Sequence, residues 1–302
     1  MASMDDILSG GELPARIMIV GYPGGAKTGA LASLVNAGFK LRILDFDGNL
    51  DPLIRFSNRD KLVKNVDVIQ LKGLDKVKMG SQVIEPDGVP VAFATAFKMM
   101  NRWEYKNKKG ENVDLGASKD WGPDTVMVLD SMTTMGDAAM LRALKLSGRT
   151  FADTTDRIYG MAMGEQERFI KAITSDQNHF HTIVMAHLRI IGPRDVRKGD
   201  SEIQKQIKEA VAEMIDPRLY PSALGWQLPQ TIAKEFPTVL LAEKKVTGKK
   251  ITHHLRTVTS QELDLKFPGP SLPDDMPSIE DGALLKVFEL LTPESVKLVR
   301  GE

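Results

Sequence analysis

The stretch GYPGGAKTG, residues 21–29, follows directly on the apolar run RIMIV (16–20) and leads into TGALASLVNAG (28–38). A strand that breaks at a glycine-rich turn and resumes as a helix at Lys27-Thr28 leaves few architectures open. Glycines let the backbone approach an anion closely, and the first amides of the helix then point at it. The usual spelling of such a phosphate loop is G-x-x-x-x-G-K-[ST], and Ala26 stands where the last glycine is expected. A negative φ at Ala26 makes the extra methyl cheap. A positive φ costs about 1–2 kcal/mol, too little to abolish a site with many contacts. The bland alternative is an ordinary strand-to-helix turn. The joint presence of strand, glycines, Lys-Thr and helix favours the phosphate loop. A dinucleotide-binding fold is set aside because G-x-G-x-x-G is absent.

Five more apolar runs continue the pattern: LRILDF (41–46), VDVIQL (66–71), TVMVLD (125–130), HTIVMAH (181–187) and TVLLAEKK (238–245). Continuous apolar runs without polar alternation predict strands buried on both faces. Helical periodicity predicts helices over 91–105, 133–147, 157–175 and 201–215. FATA (93–96) falls within the first of these and is read as core. Thr247-Gly248 predicts a hairpin over 245–258. We therefore expect an α/β chain with a twisted, mostly parallel sheet and helices on both faces. Its main domain would span 1–262. The proline-rich FPGPSLPDDMPS and one helix would form a small appendage over 263–302.

With 302 residues, 40 basic and 40 acidic, the formal net charge is zero, so a polyanion partner needs a local patch. There is no cysteine, which excludes disulfides and thiolate metal sites. No apolar run reaches the roughly 18 residues of a membrane span, and the first residues do not resemble a signal peptide. The expectation is a soluble protein of the cytoplasm, with no membrane partner. His179 and His181 sit two apart, but no third metal ligand accompanies them.

A phosphate loop that binds ATP and Mg²⁺ needs a carboxylate on a second strand, and Asp130 at the end of TVMVLD supplies one. Gly21, Tyr22, Pro23, Gly24, Gly25, Ala26, Lys27, Thr28 and Gly29 would then cradle the nucleotide. Lys27 would reach the β and γ oxygens, and Thr28 and Asp130 would hold the metal. RILDFDGNLDPL (42–53) resembles the matching strand of RecA-type recombinases, which ends in Asp-x-Glu and runs on through Leu-Asp-Pro. Asp45, Phe46, Asp47, Leu50, Asp51 and Pro52 fit that frame. IVMAHLRIIG (183–192) is similar to the RecA strand whose terminal polar residue senses the γ-phosphate. The resemblance covers about residues 14 to 258. It implies a RecA-like ATPase, with Asp47 as the water-activating carboxylate and His187 as the sensor. Three positions depart from the family: Ala26 for glycine, Asp47 for glutamate and His187 for glutamine. By position alone, Asp45 and Asp51 compete with Asp47, and Asp47-Gly48-Asn49 also reads as a turn.

The resemblance further implies single-stranded DNA binding by loops near 148–158 and 189–208. The second loop carries Arg189, Arg194, Arg197 and Lys198, and Phe151, Tyr159 or Trp226 would stack bases. A solvated helix face is the plainer reading of any basic run. Lys245 falls where the family has a lysine that reaches a neighbouring subunit's γ-phosphate. The implied function is ATP-dependent recombination or strand annealing on single-stranded DNA. DFDGNLDP and WGPDTVMVLDS are phage-like in character, and a phage origin would place the protein in the host cytoplasm. The implied partners are single-stranded DNA, further copies in a ring or filament, and an annealing or single-strand-binding protein. A ring-shaped helicase or translocase on the same core stays open, as does a nucleotide-dependent protein switch that binds no DNA.

Overall fold

In β1 (Arg16–Val20) Ile17 and Ile19 face one side of the sheet and Met18 and Val20 the other, and all four are fully buried. The same two-sided burial recurs in β2 (Lys40–Asp45), β4 (Thr125–Asp130) and β5 (His181–Ala186). Strands covered on both faces have no solvent side on which to place polar residues, which is why these runs lack alternation. With β3 (Val66–Gln70), β6 (Thr238–Thr247) and β7 (Lys250–Arg256), they form one seven-stranded sheet in the order β7-β6-β1-β5-β4-β2-β3. Every neighbouring pair is parallel except β6–β7, which is the predicted hairpin. The computed structural model describes residues 12–72, 77–80, 83–86, 90–149, 155–191, 218–225, 227–257, 265–268, 272 and 276–302.

The chain leaves β1 toward β2, passing over β5 and β4, but leaves the neighbouring β5 in the opposite sense, toward β6. Such a switch opens a crevice at the carboxyl ends of the strands, where open α/β sheets bind ligands. This order, with the glycine loop after the central strand, is the RecA-like P-loop core expected from the motifs. Two cores sandwich the sheet. One packs Met18, Val20, Met127 and Leu129 under α5 (Ala92–Asn101), α6 (Met132–Leu146) and α7 (Asp156–Ile173). The other packs Ile17, Ile19, Val126 and Val128 under α1 (Lys27–Ala30) and α2 (Ala32–Ala37), with the C-terminal helices. Two short helices, α3 (Asp51–Phe56) and α4 (Arg59–Asn65), link β2 to β3.

Two expectations change. The helix predicted over 91–105 ends at Asn101, because Trp103 is fully buried and exchanges backbone bonds with Gly116 and Leu115. Residues 104–106 and 112–114 then pair as a short antiparallel ribbon. The single C-terminal helix is two, α8 (Ala283–Leu291) and α9 (Pro293–Arg300). Proline cannot extend α8 but suits the first turn of a new helix, and the Glu12 carboxylate caps that turn by accepting from the amides of Glu294 and Ser295. Phe288 of α8 packs edge-on against Phe39 and His181. The helix predicted over 201–215 lies outside the described residues.

Candidate nucleotide site

The glycine loop is shaped by the backbone of β6. A Cβ on Gly21 would lie 2.5 Å from the carbonyl oxygen of Ala242, and one on Gly25 would lie 2.8 Å from the same atom. Neither position accepts a side chain, so the loop can follow its tight path only with glycine there. Ala26 has φ 61° and ψ 24°, the left-handed region. Its φ is positive, so the methyl carries the cost anticipated above, about 1–2 kcal/mol.

Lys27 opens α1 and is 7% exposed. Its Nζ donates to the carbonyls of Gly21 (2.8 Å) and Tyr22 (3.2 Å) and lies 3.4 Å from His187 Nδ1. Burial lowers the ammonium pKa, while Asp130 and Asp47 nearby oppose that shift. Thr28 Oγ1 donates to Asp130 Oδ2 at 2.8 Å, joining the loop to the end of β4. Asp130 is almost fully buried, and burial pushes its pKa up to about 7. The Thr28 hydrogen bond works against this shift, and the Asp47 and Asp45 charges add to it.

The two acids at the end of β2 divide their labour. Asp45 is buried, and its Oδ1 accepts from the Gly48 amide at 2.6 Å, so it holds the turn. Burial raises its pKa. Asp47 lines the cleft instead. Its Oδ1 accepts from Ser131 Oγ at 2.8 Å and from Thr134 Oγ1, and its Oδ2 lies 3.5 Å from His187 Nε2. Burial would raise the Asp47 pKa, but the hydrogen bonds from His187, Thr134 and Ser131 outweigh it and hold the group at about 2. His187 thus lies between the two, its Nδ1 facing the lysine and its Nε2 facing the carboxylate. Its backbone N–H donates to Thr133 Oγ1 at 3.0 Å, and its carbonyl accepts from Ser222 N at 2.7 Å.

These groups share one cleft of about 690 Å³ at the carboxyl ends of the strands. Residues 23–28, Asp47, Asp51, Asp130 and His187 line it. Sequence reasoning missed Ser131, Thr134, Arg55, Phe56, Lys72 and His253, which the fold also brings to this region. The hydroxyl-rich SMTT directly after Asp130 was a visible signal for two of them. His253 arrives from β7, tied to Glu280, across a sequence gap that no local pattern bridges. Thr28 and Asp130 present hard oxygens of the kind Mg²⁺ prefers. A buried carboxylate pushed up to about 7 beside two other acids is a group that a divalent cation would relieve.

The remaining predicted residues lie elsewhere. Lys245 is exposed on β6, opposite Thr252, and does not line the cleft of its own chain. Arg189 is in a short strand, 188–191, paired with 218–221. Its guanidinium donates to the carbonyls of Ala223 and Gly225, each at 3.2 Å. Arg194, Arg197, Lys198, Phe151 and Trp226 lie outside the described residues. Tyr159 is 43% exposed on α7. His181 is fully buried, accepting from Ala15 N and bonded to the Pro123 carbonyl.

No protein-family model matches the chain, and no curated protein matches it. Among solved structures it is similar to the flagellar accessory protein FlaH from Methanocaldococcus jannaschii, at 11% identity and a TM-score of 0.31, over 88% of this chain and 87% of that one. So loose an overlap decides nothing about activity. No helix among the described residues is long and apolar enough to cross a membrane. The strand order and the glycine loop give the chain a RecA-like P-loop fold, and its functional reading rests on the cleft itself.

Proposed function

We propose that the chain is an ATPase that hydrolyses ATP to ADP and phosphate and acts on single-stranded DNA in recombination or strand annealing. The observation that carries the ATPase reading is the 2.8 Å bond between Thr28 and Asp130, made beside Lys27 and within the same cleft as Asp47. A loop lysine, a loop hydroxyl and two strand-end carboxylates are what phosphoryl transfer to water requires. Thr28 and Asp130 would hold Mg²⁺, which neutralises phosphate charge when bound. The loop amides and Lys27 bind and orient the triphosphate, and Asp47 aligns the attacking water. His187 sits between Lys27 and Asp47, where a γ-phosphate would alter its contacts with both.

The DNA reading is supported by the basic residues Arg194, Arg197, Lys198, Lys205 and Lys208, in the segment that follows the strand carrying Arg189. That strand begins directly after His187 in the chain. The test is ATP hydrolysis by the purified chain, with and without single-stranded DNA, with Lys27→Ala as control. Stimulation by DNA that vanishes in the control supports the reading. Hydrolysis indifferent to DNA would transfer the chain to the class of nucleotide-dependent protein switches.

A further inference from the structure

The carboxylate of Asp47 is held by more donors than its place at a strand end requires. Phe46 N and Asp47 N both donate to the carbonyl of Asp130, at 2.6 and 3.1 Å, so main-chain bonds already fasten the end of β2 to the end of β4. The side-chain bonds from Ser131 and Thr134 therefore add orientation, not attachment. Both converge on one oxygen, Oδ1. Two hydroxyl donors occupy the two lone pairs of a carboxylate oxygen. Among the described residues, Oδ2 has only the 3.5 Å contact with His187. Ser131 and Thr134 arrive together because they are the N-cap and third residue of α6, where helix geometry stacks such positions over the same first turn.

We propose that Ser131 and Thr134 are positioning residues that lock Oδ1 of Asp47 and so reserve Oδ2 for the attacking water. This rests on the ATPase reading above. In that reaction the water oxygen bonds to the γ-phosphorus, the bond from phosphorus to the β–γ bridging oxygen breaks, and the water proton passes to Oδ2. An unlocked carboxylate would rotate about its terminal torsion and present either oxygen at varying angles. Nucleotide binding would persist while productive alignment became rarer.

The experiment uses the full chain and compares Ser131→Ala, Thr134→Val, the double variant, and the hydroxyl-retaining Ser131→Thr and Thr134→Ser. Each single loss should lower kcat by roughly tenfold and the double by on the order of 10², as one and two orienting hydrogen bonds are removed. KM and the Kd of a fluorescent ATP analogue should stay within about threefold, since the loop is untouched. Thr134→Ser should restore most of the turnover. Ser131 also caps α6, so Ser131→Ala can lower the thermal midpoint; Thr134→Val keeps the cap and isolates the effect on Asp47. Undiminished turnover in the double variant overturns the proposal and leaves the ATPase reading standing. A Thr134→Ser variant as slow as Thr134→Val, or affinity falling in step with turnover, overturns it too. A wild-type chain that hydrolyses no ATP overturns both.

Discussion

Lys27 Nζ and His187 Nδ1 lie 3.4 Å apart, so the lysine of the glycine loop and the histidine that follows β5 touch each other in the cleft. The lysine is also folded back onto the Gly21 and Tyr22 carbonyls. A bound triphosphate would have to draw it away from all three partners, which takes a strong charge-assisted interaction.

Lys27→Ala should therefore weaken nucleotide binding by about 10- to 100-fold, the worth of a charged hydrogen-bond donor at roughly 1.5–3 kcal/mol. Far-ultraviolet circular dichroism should be unchanged. Titration with a fluorescent ATP analogue checks this, and wild-type affinity in the variant would remove the loop from the site.

Asp47→Asn and Asp45→Asn should separate chemistry from stability. Asp47→Asn should keep near-normal ATP affinity and lose on the order of 10²–10⁴ in turnover, the range of general-base catalysis. Asp45 is buried against the Gly48 amide, so Asp45→Asn should act on the thermal midpoint far more than on kcat. Equal turnover losses in the two variants would show that the whole turn, and not Asp47 alone, sets the rate.

The pH dependence of stability follows from Asp130, whose folded pKa is raised to about 7. Between the ordinary carboxylate range and about 7 the folded chain keeps a proton that the unfolded chain releases. This group's contribution is therefore present at low pH and fades as pH rises, with a slope of up to about 1.4 kcal/mol per pH unit. Asp47 is held at about 2 and acts in the opposite sense, losing its contribution only as pH falls below the carboxylate range. Chemical denaturation from pH 5 to 8 in chelator should show stability falling, and Mg²⁺ should flatten the fall. Asp130→Asn should abolish this slope and raise the Mg²⁺ needed for turnover. A slope unchanged in that variant would assign it to another group.

Ala26→Gly should stabilise the chain by about 0.5–1 kcal/mol. It relieves a left-handed alanine worth about 1–2 kcal/mol and returns part of that gain as unfolded-state entropy. Urea denaturation midpoints with an unchanged slope check it. Destabilisation would mean that the methyl makes a compensating contact.

Replacing Arg194, Arg197 and Lys198 by alanine should lower affinity for single-stranded DNA and flatten its salt dependence by about one unit of slope per lost phosphate contact. Binding measured from low to moderate salt reads both quantities. Lower affinity with an unaltered slope would count against phosphate contact.

Much of this was legible because it is local. The six apolar runs, the glycine loop and Asp130 at a strand end each sit within a short window of sequence. The division between Asp45 and Asp47 was not legible. Both belong to one strand end, and only the turn at Gly48 and the arrival of α6 decide which one faces the cleft. Helix 91–105 was overextended because Trp103 and Tyr105 fit helical spacing as well as they fit a ribbon. Tyr105 instead donates its hydroxyl at 2.9 Å to Asp67 Oδ1, on a strand 38 positions earlier. His253 and Glu280 meet through tertiary packing alone.

The placement of Phe288 against Phe39 and His181 bears on how the chain acquires its shape. The core beneath the phosphate-loop helix is closed by residues made more than two hundred positions later. Until 283–300 emerge during synthesis, the apolar face of α2 lacks part of its cover. Such long-range closure slows folding and leaves a partly assembled chain prone to association. The helix pair that leads away from the glycine loop would thus gain its full support only at a late stage of folding.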